Sequence, residues 1–417
     1  MKKILIFLLA FCLCHSFAGA QDSVAVASPT ADDSLVADSV AVSDSLPWTV
    51  RLRQRLDSLV ASPLLERSQL GLMVYDLTDD STLYTYGHRQ TLRPASTMKL
   101  LTAITGIETL GADFQMKTSL YYTGTVSGGT LRGNLVSVGG MDPLFDRNDL
   151  AAFISKVRHA GIDTIRGRLL ADVTMKDDDR WGEGWCWDDD NYSLTPLLYN
   201  RKDNFLEALR RELQRDGVVI VDTFYSSMSP SQRQRHFVCS RSHGIGELLV
   251  PTMKDSDNLF AECLFYLIAA NTEGRPAKGK QAANQVKRMI QRVGLNPGDY
   301  RVADGSGLSL YNYVSAELEV RLLRYAWRHR EIFDLLLASL PIAGVDGTLA
   351  SRMAKGPAAG NVRAKTGTVS GISSLAGYCK APNGHTLAFC IINQGIMRMA
   401  DGRGFQDSVC AALVKSE

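Results

Sequence analysis

The chain has 417 residues and a mass of 45.7 kDa, with 45% apolar and 22% charged residues. That composition excludes a mostly disordered chain, a collagen-like repeat and a multi-span membrane protein. The formal net charge of +2 is too small to single out nucleic acid or a membrane surface as a partner. It is also unevenly spread: residues 21–46 hold five Asp and no Lys or Arg, so the body behind them is mildly basic.

Lys2 and Lys3 precede an apolar run from Ile4 to Leu13, and Ala18-Gly19-Ala20 supplies small residues for cleavage. This pattern predicts an export leader over residues 1–20. The apolar run is shorter than the ~20 residues a spanning helix needs, and no later segment is long and apolar enough to be an integral membrane span. Neither Cys12 nor Cys14 follows a small residue, which argues against a lipoprotein signal. Residues 21–46 carry Asp-Ser-Val-Ala-Val twice, at 22–26 and 38–42, and read as a disordered acidic linker. Six cysteines follow it: Cys186, Cys239, Cys263, Cys379, Cys390 and Cys410. Without a CxxC pair they read as buried free thiols. The Pro382-Asn383 turn sets Cys379 opposite residue 386, so Cys379 and Cys390 are not expected to pair.

The spacing of Val50, Leu52, Leu56 and Val60 predicts a helix over 47–61. Residues 70–76 and 82–86 read as a β-hairpin. An apolar helix follows over 96–110, stopped by Gly111. The pattern then changes to short strands (118–122, 131–138, 166–173, 218–224) with helices near 147–160 and 203–215. Residues 176–192 hold six Asp and three of the five Trp. Residues 245–295 are helical, strands return at 361–367, 373–379 and 385–393, and a last helix fits 404–415. These elements imply one domain, 47–112 with 241–417, interrupted by an inserted α+β domain over 113–240.

Ser96-Thr97-Met98-Lys99 is a Ser-x-x-Lys. On a helix these two side chains face the same way, about 5–6 Å apart at Cβ. The serine stands at a helix start, where free N–H groups favour developing negative charge. A lysine at that distance can take the serine's proton once it is neutral, and burial or a second cation lowers its pKa accordingly. Taken alone the motif reads more readily as a capping serine followed by a solvated lysine, and roughly one or two chance copies are expected. Ser256-Asp257-Asn258 opens another apolar helix, and Lys365-Thr366-Gly367, followed by Thr368, ends a predicted strand. The three together arise by chance in on the order of a few per cent of such chains.

In these motifs the chain resembles the penicilloyl-serine transferases, the penicillin-binding proteins and active-site serine β-lactamases. It is more closely similar to D-alanyl-D-alanine carboxypeptidases/endopeptidases of the penicillin-binding protein 4 type. That resemblance rests on Asp304-Gly-Ser-Gly-Leu-Ser309, the segment Ser339–Leu349, Gly377-Tyr378, Gly139-Gly-Met-Asp-Pro143 and Gly184-Trp-Cys-Trp-Asp-Asp189, and runs from about residue 65 to 395. It implies an α/β (α+β) fold of the serine β-lactamase/DD-peptidase type, with an antiparallel sheet flanked by helices and a long insertion after the first motif. It implies a periplasmic enzyme acting on peptidoglycan stem peptides and inhibited by β-lactam antibiotics, with no metal or organic cofactor. Ser96 would be the nucleophile and Lys99 its base. Ser256 would hydrogen-bond both and relay a proton, and Asn258 would hold Lys99 and the substrate. Lys365, with Thr366, Gly367 and Thr368, would bind the terminal carboxylate. The N–H groups of Ser96 and Thr368 would form an oxyanion hole, worth about 2.7–4 kcal/mol per donor.

The chain departs from the resemblance in two places. Tyr199–Asn204 runs almost directly into the helix at 203–215, so the third domain nested in the insertion of longer members is expected to be absent. Leu310 stands where the family often has an arginine that contacts a diaminopimelate side chain. Asp188 or Asp189, with Tyr192, resembles the family position near the substrate amine. The 176–192 segment also fits a solvated loop or, less well, a calcium site, since it lacks the alternating ligand spacing of an EF-hand. Two other functions compete. A class A β-lactamase would need a Glu-x-x-Leu-Asn loop between Asn258 and Lys365, which is missing, and Ser-x-Asn argues against class C. A non-hydrolytic wall-binding or β-lactam-sensing protein would not need all three motifs.

Overall fold

A computed structural model describes residues 46–189, 192–221, 225–226 and 235–415. The expected leader and the acidic linker up to residue 45 lie outside the described residues. The main sheet has five strands: β1 (Gln69–Asp76), β2 (Ser81–Tyr86), β3 (Arg363–Val369), β4 (Ile372–Lys380) and β5 (Thr386–Gln394). Their order is β3-β4-β5-β1-β2, and every pairing is antiparallel. The sheet is thus assembled from strands that are almost 280 residues apart in the chain, near its start and near its end.

Helices cover both faces, so β4 and β5 are buried nearly end to end. Alternation still decides which side each residue serves. Leu70, Leu72, Val74, Phe389 and Ile391 pack against Leu52 and Leu56 of the first helix (Trp48–Val60) and Val409 and Leu413 of the last (Met399–Val414). Met73, Ala376, Cys390 and Ile392 face the opposite core, which holds the helices Met98–Leu110, Asn258–Thr272 and Ala316–Arg328. Both helix 98–110 and helix 258–272 are apolar almost all round, as helices inside a core must be.

Residues 115–244 contribute to two further sheets. One orders Tyr225–Ser226, Leu169–Asp172, Leu135–Val138, Gln115–Tyr122 and His236–Gly244; the other has four short strands. Helices Arg147–His159 and Phe205–Arg215 close a separate cluster around Phe145, Phe153 and Phe205. Two expected strands are each split in two. The run 131–138 becomes Thr130–Arg132 and Leu135–Val138, and 166–173 becomes Thr164–Arg166 and Leu169–Asp172. The breaks fall at Gly133 and Gly167, where a Cβ would lie 1.8 Å from the Thr123 oxygen and 2.0 Å from the Gly133 oxygen. Close backbone approach lets both strands leave one sheet for the other there.

The β4–β5 register differs by one from expectation. Cys379 faces Leu387, not residue 386, because the hairpin loop holds five residues, Ala381 to His385. Cys379 lies in the core of the first and last helices and Cys390 in the other, so the two are on opposite faces. All six cysteines are free. Four are buried, Cys239 is half-buried and Cys186 is exposed, the last against expectation. Among the described residues no helix is long and apolar enough to cross a membrane.

Helix 98–110 meets helix 258–272 at Gly106, where a Cβ would lie 2.8 Å from Leu264 Cδ1. Gly106→Val is expected to destabilise the protein by about 1–3 kcal/mol through overpacking, read as a lower denaturant midpoint with an unchanged slope.

Candidate active site

Four distant stretches converge at one edge of the main sheet. Pro94 and Ala95 lead into a 3-10 turn, Ala95–Thr97, which continues as helix 98–110 and carries Ser96 at its start. Ala95 has φ 49° and Ser256 φ 60°, left-handed values that cost a non-glycine residue about 1–3 kcal/mol each. The surroundings hold the first in place. Ser374 donates to the Pro94 carbonyl, and the Thr97 hydroxyl lies 2.9 Å from that same oxygen and 2.6 Å from the buried Glu319 carboxyl. Burial pushes Glu319 up to about 7. From the sheet side Gly367 presses on the same turn: a Cβ there would lie 2.7 Å from the Pro94 oxygen and 2.9 Å from the Ser96 nitrogen. Only glycine lets the Lys-Thr-Gly strand come this close to Ser96.

Lys99 is 0% exposed. Its Nζ lies 2.9 Å from Ser96 Oγ, 2.8 Å from Asn258 Oδ1 and 2.8 Å from the Ser306 carbonyl. Two of these partners can only accept. An ammonium gives one hydrogen to each oxygen. A neutral amine gives both of its hydrogens to Asn258 and Ser306, which leaves its lone pair for the Ser96 hydroxyl. Burial lowers Lys99 to about 8, with Asp304, Glu262 and Asp257 pulling the other way.

Lys365 is likewise 0% exposed, and burial with the Lys99 charge pushes it well below the usual lysine range. Its Nζ donates to Ser256 Oγ at 2.7 Å and to the Thr366 carbonyl at 2.8 Å. Ser256 therefore belongs to Lys365; no hydrogen bond among the described residues joins it to Ser96 or Lys99. The site consists of two hydroxyl–lysine couples, Ser96–Lys99 and Ser256–Lys365.

Thr366 meets Thr348 at 2.8 Å between hydroxyls, and Thr368 is exposed beside it. The Thr348 loop is pinned by Lys254, which donates to Asp346 at 2.6 Å and to the Leu340 carbonyl at 2.9 Å. Lys254 ends the helix Ile245–Lys254 that delivers Ser256. The 304–309 loop is organised by Asp304, which accepts from Gly307 N, Ser309 N, Asn312 Nδ2 and Trp185 Nε1 at 2.6–2.8 Å.

Trp185 thereby docks the acidic tryptophan loop beside the site. Within that loop Asp189 closes a turn by accepting from Cys186 N at 2.7 Å, and Asp188 is exposed. Among the described residues neither shares a hydrogen bond or ion pair with a motif residue. Tyr192 is linked to the second motif: its ring stacks on Arg201, which pairs with Asp257. Residues 190–191 lie outside the described residues. At the far end of the sheet Asp76, Asp79 and His385 are close enough to share a cation. Asp76, however, already accepts from Thr78 N, Asp79 N and His385, which is the pattern of a closed turn.

Sequence reasoning missed Ser306, Glu262, Glu319 and Thr348. Ser306 and Thr348 fall inside segments that carried the resemblance. Glu262 carries no local signal beyond being a charge in an apolar helix, and Glu319 is one of five charged residues in the amphipathic helix 316–328.

The model of the D-Ala-D-Ala carboxypeptidase 3 (S13) family matches residues 52–199 and 198–415. The D-alanyl-D-alanine carboxypeptidase of Actinomadura sp. (strain R39) is 30% identical over 445 aligned positions, covering 82% of this chain and 81% of that protein. The D-alanyl-D-alanine carboxypeptidase DacB of Haemophilus influenzae is 25% identical over 437 positions, covering 84% and 90%. The crystal structure of penicillin binding protein 4 from Haemophilus influenzae superposes with a TM-score of 0.76, over 88% of this chain and 98% of that one, at 23% identity, a likeness of fold.

Lys99 is expected to lose its proton as pH rises through about 8. NMR of lysine-labelled protein should show one side-chain resonance titrating there, about two units below an ordinary lysine, and absent in Lys99→Arg.

Proposed function

The chain belongs to the D-Ala-D-Ala carboxypeptidase 3 (S13) family, and from that premise we propose that Ser96 is the nucleophile with which it cleaves the D-alanyl-D-alanine bond of peptidoglycan stem peptides. The observation that carries the reading is the three-oxygen seat of Lys99, which reserves the amine lone pair for Ser96.

Ser96 Oγ attacks the carbonyl carbon between the two D-alanines while Lys99 takes the hydroxyl proton. The oxyanion forms against the N–H groups of Ser96 and Thr368. The C–N bond then breaks as the departing amine takes the proton that Lys99 removed, so Lys99 is neutral again and D-alanine leaves an ester on Ser96. Ser256, whose hydroxyl accepts from Lys365 Nζ, relays that proton to the amine. Water attacks the ester in the second half, with Lys99 again as base, and restores Ser96. Lys365, Thr366 and Thr368 receive the terminal carboxylate, where a buried cation and two hydroxyls suit its charge. Tyr192, and Asp188 or Asp189, belong on the side of the substrate amine.

The same attack opens a β-lactam ring, whose amide nitrogen stays tethered in place, so β-lactams acylate Ser96. A D,D crosslink presents the same bond with a second stem as leaving group, so the enzyme also acts as an endopeptidase. Its substrate lies outside the cytoplasm, which agrees with the expected leader and a periplasmic site of action.

Residues 21–417, incubated with pentapeptide and crosslinked muropeptides, are expected to release D-alanine and convert dimers to monomers. Ser96→Ala should lower both by at least about 10³-fold. Absence of turnover on either substrate by the unaltered enzyme would overturn the reading.

A further inference from the structure

Glu262 stands one turn beyond Asn258 on the helix Asn258–Thr272, so the two point the same way. It is 1% exposed. Its Oε1 accepts from the N–H groups of Gly305 (3.0 Å) and Ser306 (2.8 Å). Its Oε2 is buried without a hydrogen-bond partner among the described residues. The opposite side of the same short loop is gripped as well. The Ser306 carbonyl takes a hydrogen from Lys99 Nζ at 2.8 Å, and the Gly305 carbonyl takes one from Thr102 Oγ1 at 2.7 Å. Thr102 is one turn beyond Lys99 on the nucleophile helix. The N–H and carbonyl groups of two successive residues, Gly305 and Ser306, are thus clamped between the helix that carries Ser96 and the helix that carries Asn258.

We propose that Glu262 is a positioning residue for Ser96 acylation, acting as a neutral carboxylic acid that holds the Ser306 carbonyl where it occupies one hydrogen of Lys99. This rests on the Ser96–Lys99 reading above. The geometry explains why neutrality suits the role. An ionised carboxylate would leave Oε2 charged, buried and unpaired, whereas a protonated one still accepts twice through Oε1. The neighbouring Asp304 is the opposite case, since four short hydrogen bonds satisfy its charge. Burial and the Asp304 charge together push Glu262 up to about 8. The charged groups that face it are Lys99 on the nucleophile helix and Asp304 on the loop. Lys99 in turn acts on Lys365 of the strand, and Asp257, at the start of Glu262's own helix, acts on Lys99.

Acylation by benzylpenicillin, followed by rapid quench over pH 6–9 and normalised to titrated active sites, separates this role from its alternatives. Glu262→Gln keeps an acceptor in the same place and is expected to acylate within about threefold of the unaltered enzyme, with the same pH midpoint. Glu262→Met keeps the volume and removes the acceptor. It is expected to lose about 100-fold in the saturating rate, with little change in half-saturation, because Lys99 is misplaced while the carboxylate seat is intact. Should the Met variant fail to fold, Thr102→Val tests the other jaw of the clamp, with a loss of about tenfold in the same rate constant.

A Glu262→Gln variant as slow as Glu262→Met, or one whose pH midpoint moves down by a unit, would overturn the proposal in favour of a charged Glu262. An unimpaired Glu262→Met, or an unimpaired Thr102→Val where it stands in, would overturn any positioning role. An unaltered enzyme that forms no adduct would overturn the Ser96 reading and this proposal with it, so the two failures are distinct.

Discussion

The seat of Lys99 is the constraint on which the rest of the structure depends. A lysine amine removed from water is tolerable only if each of its hydrogens finds an oxygen, and here the three oxygens come from Ser96, Asn258 and Ser306. Withdrawing any one would leave either a buried unpaired donor or a lone pair turned away from the serine. The low local dielectric that makes this arrangement costly also lowers the amine to about 8, toward the neutral form that the proposed base needs.

Much of the fold serves to deliver those oxygens. Helices 98–110 and 258–272 cross closely enough at Gly106 to set Asn258 beside Lys99. The Lys-Thr-Gly strand reaches Ser96 only because residue 367 is glycine, and the strained Ala95 persists because Ser374 and Thr97 hold the carbonyl before it. Asp304 extends the arrangement outward. It orders the loop that presents Ser306 and also receives Trp185, so the acidic tryptophan loop is fastened to the same element that holds Lys99. Lys254 plays the corresponding part on the other wall, bracing the Thr348 loop from the end of the helix that delivers Ser256.

The motif residues and the flanked antiparallel sheet were legible in the sequence because they depend on local patterns. Ser96 and Lys99 share a helical face, and β1, β4 and β5 are apolar runs bounded by turns. Contacts that depend on tertiary closure were not legible. Glu262 reads as an ordinary charge in an apolar helix until the 304–309 loop folds over it. Ser256 was expected to serve Ser96 and Lys99, and its bond to Lys365 is set by where β3 places that lysine. The strands that break at Gly133 and Gly167 looked continuous because hydrophobicity carries across the point where the chain changes sheets. The one-residue error at the β4–β5 hairpin came from its five-residue loop, in which Gly384 at φ 84° accommodates the extra residue.

The most direct test of the Ser96–Lys99 couple is where a covalent adduct forms. The protein would be treated with benzylpenicillin, digested and analysed by mass spectrometry. A single penicilloyl group is expected on the peptide containing Ser96, and it is expected to be lost when Lys99 is replaced by Ala with Asn258 left in place. An adduct on any other serine, or undiminished labelling of the Lys99→Ala protein, would contradict it.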